Sequence, residues 1–123
     1  MKYSIIESDG KNPFLTVQFE EEGYELLNSF LLAEVRSFGK VIERGLYELI
    51  EGQRTELSFS GNVYSLDADA DTALITDDIS AEEITMKVAT DELYELVCDY
   101  RTAYRKLKEK RASVSADGGE KYG

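Results

Sequence analysis

Residues 84–100, ITMKVATDELYELVCDY, contain the change of period on which the fold turns. Ile84, Met86 and Val88 alternate with Thr85, Lys87 and Ala89, the period of two that marks a half-buried strand. From Thr90 the period becomes helical: Leu93, Leu96, Val97, Tyr100, Tyr104 and Leu107 fall on one stripe. Thr90 is placed to cap that helix, and Asp91 and Glu92 occupy the first turn, where the helix dipole favours anions. Arg101, Arg105, Lys106, Lys108 and Lys110 crowd its C-terminal half, where cations complement the opposite pole. The basic end therefore reads as helix stabilisation. Beyond Arg111 the composition shifts to Ser, Ala, Asp and Gly, which predicts a domain over 1–110 followed by a flexible tail over 111–123.

Working back from residue 84, the chain reads as an antiparallel meander over 54–89. Leu57 and Phe59 alternate with serines, Gly61-Asn62 signals a turn, and Tyr64 and Leu66 alternate in their turn. The run from Asp67 to Asp71 reads as a polar loop, Leu74 and Ile75 as the next strand, and Asp77-Asp78 as another turn. Ser80 to Glu83 has the spacing of a capping box, but the alternation that follows assigns a strand there. Upstream, Leu26, Leu27, Phe30, Leu31, Val35 and Phe38 recur at helical spacing. Glu20, Glu21 and Glu22 are expected at that helix's N-terminus. Val41, Ile42, Leu46, Leu49 and Ile50 continue the helical pattern on one side, with Gly52 as C-cap. Residues 20–52 are either two helices joined near Ser37-Phe38-Gly39 or one kinked helix. Residues 2–7 and the stretch with Phe14, Val17 and Phe19 form two strands around a turn at 8–13. The expected fold is α+β: an N-terminal hairpin and helices, an antiparallel β-meander, and a C-terminal amphipathic helix packed on the sheet.

A chain of 123 residues is one domain by size. Its 25 acidic and 14 basic side chains give a formal net charge of −11, and there is no histidine. The charge is polarised, with 22 acidic and 7 basic residues over 1–100 against 3 acidic and 7 basic over 101–123. An acidic body repels nucleic acid and anionic lipid and speeds encounter with a basic partner. The same charge also suits a merely soluble surface. One cysteine, Cys98, leaves no intramolecular disulfide framework and fits a reducing cytoplasm. The N-terminus lacks a secretory pattern, and no apolar run approaches the ~18 residues of a membrane helix.

Without histidine, the Ser-His-Asp and Cys-His arrangements are excluded, and zinc has too few ligands. No nucleophile elbow, phosphate-cradling glycine loop or dinucleotide fingerprint occurs. These readings imply no enzyme and no cofactor. Asp67-x-Asp69-x-Asp71, with Asp78 at the twelfth position, has calcium-loop spacing. Thr72 at the sixth position, the short Asp78 and strand-like flanks oppose that reading. Cys98, beside the apolar stripe, reads as a structural thiol.

Phe59-Ser-Gly-Asn62-Val-Tyr64-Ser-Leu66, then Ile75-Thr-Asp77, then Val88-Ala-Thr90-x-Glu92-Leu93-x-x-Leu96 resembles a pattern of small bacterial immunity proteins. These accompany polymorphic toxins, including contact-dependent growth inhibition systems. The order of elements is also similar to small bacterial proteins of the YacL type. The resemblance implies a cytosolic inhibitor of a cognate toxin domain, and such toxins are often nucleases with basic clefts. It assigns no functional residue, and Gly61-Asn62 is read as structural. Partner contacts are expected instead from the carboxylates of Asp67, Asp69, Asp71, Asp77, Asp78, Glu82 and Glu83, with Glu20, Glu21 and Glu22. If the meander reading holds, Asp67–Asp71 and Asp77-Asp78 lie at opposite ends of the sheet. The alternatives are an acidic adaptor or subunit with another partner, and a small calcium-binding protein or enzyme.

Overall fold

A computed structural model describes the backbone over residues 1–82 and 84–122 and the side chains over 1–82 and 84–110. The chain opens with strands β1 (Tyr3–Glu7) and β2 (Leu15–Phe19), paired antiparallel from Tyr3 opposite Phe19 to Glu7 opposite Leu15. Leu15, Val17 and Phe19 alternate inward, whereas Phe14, expected in this strand, precedes it and is exposed. The side-chain amide of Asn28 donates to the Val17 carbonyl at 2.9 Å, so the following helix holds the free edge of β2. Along β1, the Met1 ammonium meets Glu92 at 3.2 Å and the Tyr3 hydroxyl donates to Asp99 at 2.5 Å. Burial and the neighbouring Asp99 push the Tyr3 phenol above its ordinary range.

Helix α1 (Glu25–Phe30), a π-helical turn (Leu31–Val35) and helix α2 (Arg36–Ile50) follow without interruption. Phe38, at φ −119° and ψ 20°, bends α2 within the segment where the sequence placed a junction. The kinked-helix alternative is the one realised, with an additional wide turn just before the bend. Glu20, Glu21 and Glu22 lie in the exposed connection before Glu25, not in the first helical turn. Gly23, at φ +98°, stands between this run and the helix. Ile42, Leu46 and Leu49 face the core, but Val41 and Ile50 are exposed, so the buried stripe is narrower than their inclusion implied. Helix α2 ends in a Schellman motif: Gly52 N–H donates to Leu49 and Gln53 N–H to Glu48. Gly52 takes φ +75°, a value that suits glycine at this position.

Strands β3 (Leu57–Ser60), β4 (Tyr64–Ala68), β5 (Thr72–Asp77) and β6 (Thr85–Ala89) form a four-stranded meander in that order. The polar loop expected from Asp67 is shorter than its sequence suggested, because Asp67 and the buried Ala68 belong to β4. Leu57, Tyr64, Leu66, Ala73, Ile75 and Val88 are buried, and this inner face packs under the helices. Helix α3 (Thr90–Tyr122) contributes Leu93, Leu96, Val97, Tyr100 and Leu107 to the same core. The tail expected over 111–123 lies outside the residues whose side chains are described. Thr90 is wholly buried, and its hydroxyl donates to the Asp69 carbonyl at 2.7 Å. It therefore joins the β4–β5 turn to the head of α3, a different role from the cap expected of it.

One polar side chain reaches the centre of this arrangement. Glu34, in the π-helical turn, has no exposed surface. Its carboxylate accepts backbone N–H bonds from Asn62 at 2.9 Å, Val63 at 2.8 Å and Tyr64 at 2.7 Å. Asn62 and Val63 lie in the β3–β4 connection and Tyr64 opens β4. Gly61 lies so close that an added Cβ would stand 2.2 Å from Glu34 Oε1. Replacing Gly61 by Ala should therefore force the carboxylate from its donors. We expect a loss of about 2–3 kcal/mol in urea unfolding, the range of overpacking combined with weakened buried hydrogen bonds. An unchanged midpoint would show that the turn accommodates a side chain.

Candidate functional site

The meander divides the acidic residues between two ends of the sheet. Asp69 and Asp71 lie in the turn that precedes β5, and Asp77 and Asp78 lie where β5 ends. A full strand thus separates the first three acidic positions from Asp78, and the calcium-loop arrangement does not assemble. Among the described residues, no group of three or more His, Cys, Asp or Glu side chains is placed to hold a metal ion.

At the first end the carboxylates build the turn. Asp69 Oδ1 accepts from the N–H groups of Asp71 at 2.9 Å and Thr72 at 2.8 Å. Asp67 Oδ1 accepts from Ser58 on the adjacent strand at 2.9 Å. Around them, Glu56, Ser58, Asp67, Asp69, Thr72, Leu74 and Lys87 line a shallow hollow on the outer face of the sheet. Lys87 lies across β5 from Asp67, since both residues pair with Leu74. It offsets part of the acidic character of this end.

The second end differs. Asp77 Oδ1 accepts from Ile79 and Ser80, each at 3.0 Å, while Asp78 bonds to the Ser65 hydroxyl. Next to them a groove of about 380 Å³ runs between the start of α1 and the edge of the sheet. Gly23, Glu25, Leu26, Tyr64, Asp77, Ile84, Thr85 and Met86 are among its lining residues, and none of the lining residues is Lys or Arg. The carboxylates that line the groove are those of Glu25 and Asp77; Glu20, Glu21 and Glu22 precede Gly23 in the chain, and Asp78 and Glu82 fall between Asp77 and Ile84. Glu20–Glu22, Asp78 and Glu82 are exposed. Glu83 lies outside the described residues. Two large apolar side chains stand in water nearby in sequence: Ile79 is 68% exposed, and Ile84, which lines the groove with Glu25 and Asp77, is 46% exposed.

From the sequence alone Gly23 and Glu25 could not be joined to Asp77 and Ile84, because their shared groove depends on how α1 crosses the sheet. The exposed isoleucines were also missed. Ile84 was read as part of an alternating strand, but the strand begins at Thr85 and leaves Ile84 outside it. Cys98 is half-buried, and burial pushes its thiol up despite the Tyr94 hydrogen bond. This disfavours the reactive thiolate and agrees with a structural role. No helix among the described residues is long and apolar enough to cross a membrane. No protein-family model matches the chain, and neither curated proteins nor solved structures gave a match.

The turn bonds have a measurable consequence. Hydrogen bonds from Thr72 and Asp71 lower the pKa of Asp69 below the ordinary aspartate value. A carboxyl whose folded pKa is depressed adds stability above its unfolded pKa and loses that contribution as pH falls through the folded one. NMR titration should give Asp69 a midpoint below those of aspartates without such bonds. Asp69→Asn, which keeps the acceptor oxygen, should make stability less sensitive to acid. A midpoint at the ordinary value would contradict the observed turn geometry.

Proposed function

We propose that this chain is an immunity protein that binds a cognate toxin domain, a basic nuclease, and neutralises it by occluding its active site or substrate surface. The observation that supports the reading is the groove between α1 and the sheet edge, where Glu25 and Asp77 from two chain segments share a lining with the exposed Ile84. Apolar anchors inside a charged rim have the composition of a protein-binding surface. The carboxylates take positions complementary to cations that would otherwise meet substrate phosphates, and they accelerate encounter. Ile79 and Ile84 hold the complex once it has formed. The inhibitor acts by contact, without chemistry of its own, in the cytoplasm where the toxin would act. The outer sheet hollow, with Lys87 among its carboxylates, offers weaker attraction to a basic surface.

The test is co-expression with the toxin domain encoded beside this chain, followed by association kinetics at low and high salt. The wild type should restore growth and co-purify with the toxin. Changing Glu20, Glu21, Glu22 and Glu82 to Gln, with Asp78→Asn, should slow association by about tenfold at low salt, with little difference at high salt. Ile79→Asp with Ile84→Asp should instead accelerate dissociation. Unprotected cells, or rates within about twofold of wild type for both folded variants, would contradict the reading.

A further inference from the structure

Among the described residues, a cleft of the opposite character is present. Between the bend of α2 and the middle of α3 lies a depression of about 350 Å³. Arg36, Lys40, Arg101, Arg105 and Lys108 line it, with Glu109 as the acidic side chain present. It shares no lining residue with the acidic groove. Arg101 is paired with Glu43 at 3.1 Å. Arg36 is fixed more firmly: Nε donates to the Tyr100 hydroxyl at 3.1 Å, and the guanidinium stands 4.9 Å from the centre of the Tyr104 ring. Tyr104 stacks on Tyr100 with ring planes 4° apart and has Lys108 Nζ at 5.7 Å. Within this frame Arg36 Nη2 is buried and has no hydrogen-bond partner among the described residues. A guanidinium oriented by two tyrosines, with an unsatisfied donor and further cations lining the same depression, is an oxyanion-binding arrangement.

We propose that this cleft binds the phosphate groups of a small soluble phosphoryl compound, such as a pyrophosphate or the phosphate chain of a nucleotide. Arg36 supplies the oriented contact, and Lys40, Arg105 and Lys108 neutralise the remaining charge. The number of cations matches a multiply charged anion better than a single carboxylate. The net charge of −11 argues against a nucleic acid strand, because a long polyanion would meet repulsion wherever it left the cleft. A small phosphoryl compound fits inside the depression and avoids that repulsion.

The experiment is isothermal titration calorimetry of the full chain with pyrophosphate and, separately, ATP, at ionic strength held constant with sodium chloride. Saturable one-to-one binding of either probe is expected. The variant carrying Lys40→Gln, Arg105→Gln and Lys108→Gln changes three exposed side chains and should remain folded by circular dichroism. It should bind about tenfold more weakly or worse, the scale of lost charge-assisted contacts. Arg36→Met should weaken binding as well. Lys2→Gln with Lys11→Gln, which removes two cations elsewhere, should leave affinity unchanged. Absence of saturable binding to both probes, an equal loss from the Lys2 and Lys11 changes, or tighter binding of a single-stranded oligonucleotide than of ATP would overturn the proposal.

Discussion

The carboxylate of Glu34 links the helices to the meander. Desolvating a carboxylate is costly, and the three backbone N–H groups from residues 62–64 offset that cost while losing water themselves. The bonds run between groups about thirty residues apart in sequence, so they also fix orientation. The β3–β4 turn must lie under the π-helical turn and nowhere else. Tyr64 starts β4, and its ring meets Phe30 edge-on at 6.3 Å, so apolar packing continues directly from the polar contact. A π-helical turn widens the helix locally, a geometry often retained where a side chain has a specific task.

Both charged depressions follow from this placement. With the π-helical turn held over the β3–β4 turn, the start of α1 reaches the end of β5, and Gly23 and Glu25 line one groove with Asp77, Ile84, Thr85 and Met86. On the other side of the helical run, Arg36 immediately follows the π-helical turn and the Phe38 bend follows two residues later. That segment lies against Tyr100 and Tyr104 of α3, where the cationic cleft forms. An acidic groove and a basic cleft thus occur on different parts of one small domain, each assembled from segments distant in sequence. The ligands proposed for them differ accordingly: a basic protein surface for the groove, a small anion for the cleft.

The α+β order, the meander and the core stripe of α3 were legible because binary patterning directly reflects burial. The alternation of Met86 and Val88 with Thr85, Lys87 and Ala89 corresponds to β6, and the period from Leu93 to Leu107 to the buried face of α3. The special contacts were less visible. Glu34 occupies a position on the apolar stripe between Leu31 and Val35, and that polar interruption was the signal available for its burial. Its partners are main-chain N–H groups, which carry no side-chain signature. Asp67, Asp69 and Asp77 looked like free ligands because sequence shows their charge without their hydrogen bonds. Arg36 was equally hidden, since its role depends on α3 crossing α2 beside the Phe38 bend.

The most direct measurement is urea unfolding of Glu34→Ala beside the wild type, with amide hydrogen exchange read at Asn62, Val63 and Tyr64. Removal of the carboxylate leaves three donors without their partner. Stability should fall by about 3 kcal/mol or more, with faster exchange concentrated at those three amides. A loss below about 0.5 kcal/mol, with unchanged exchange at residues 62–64, would contradict the central role assigned to Glu34.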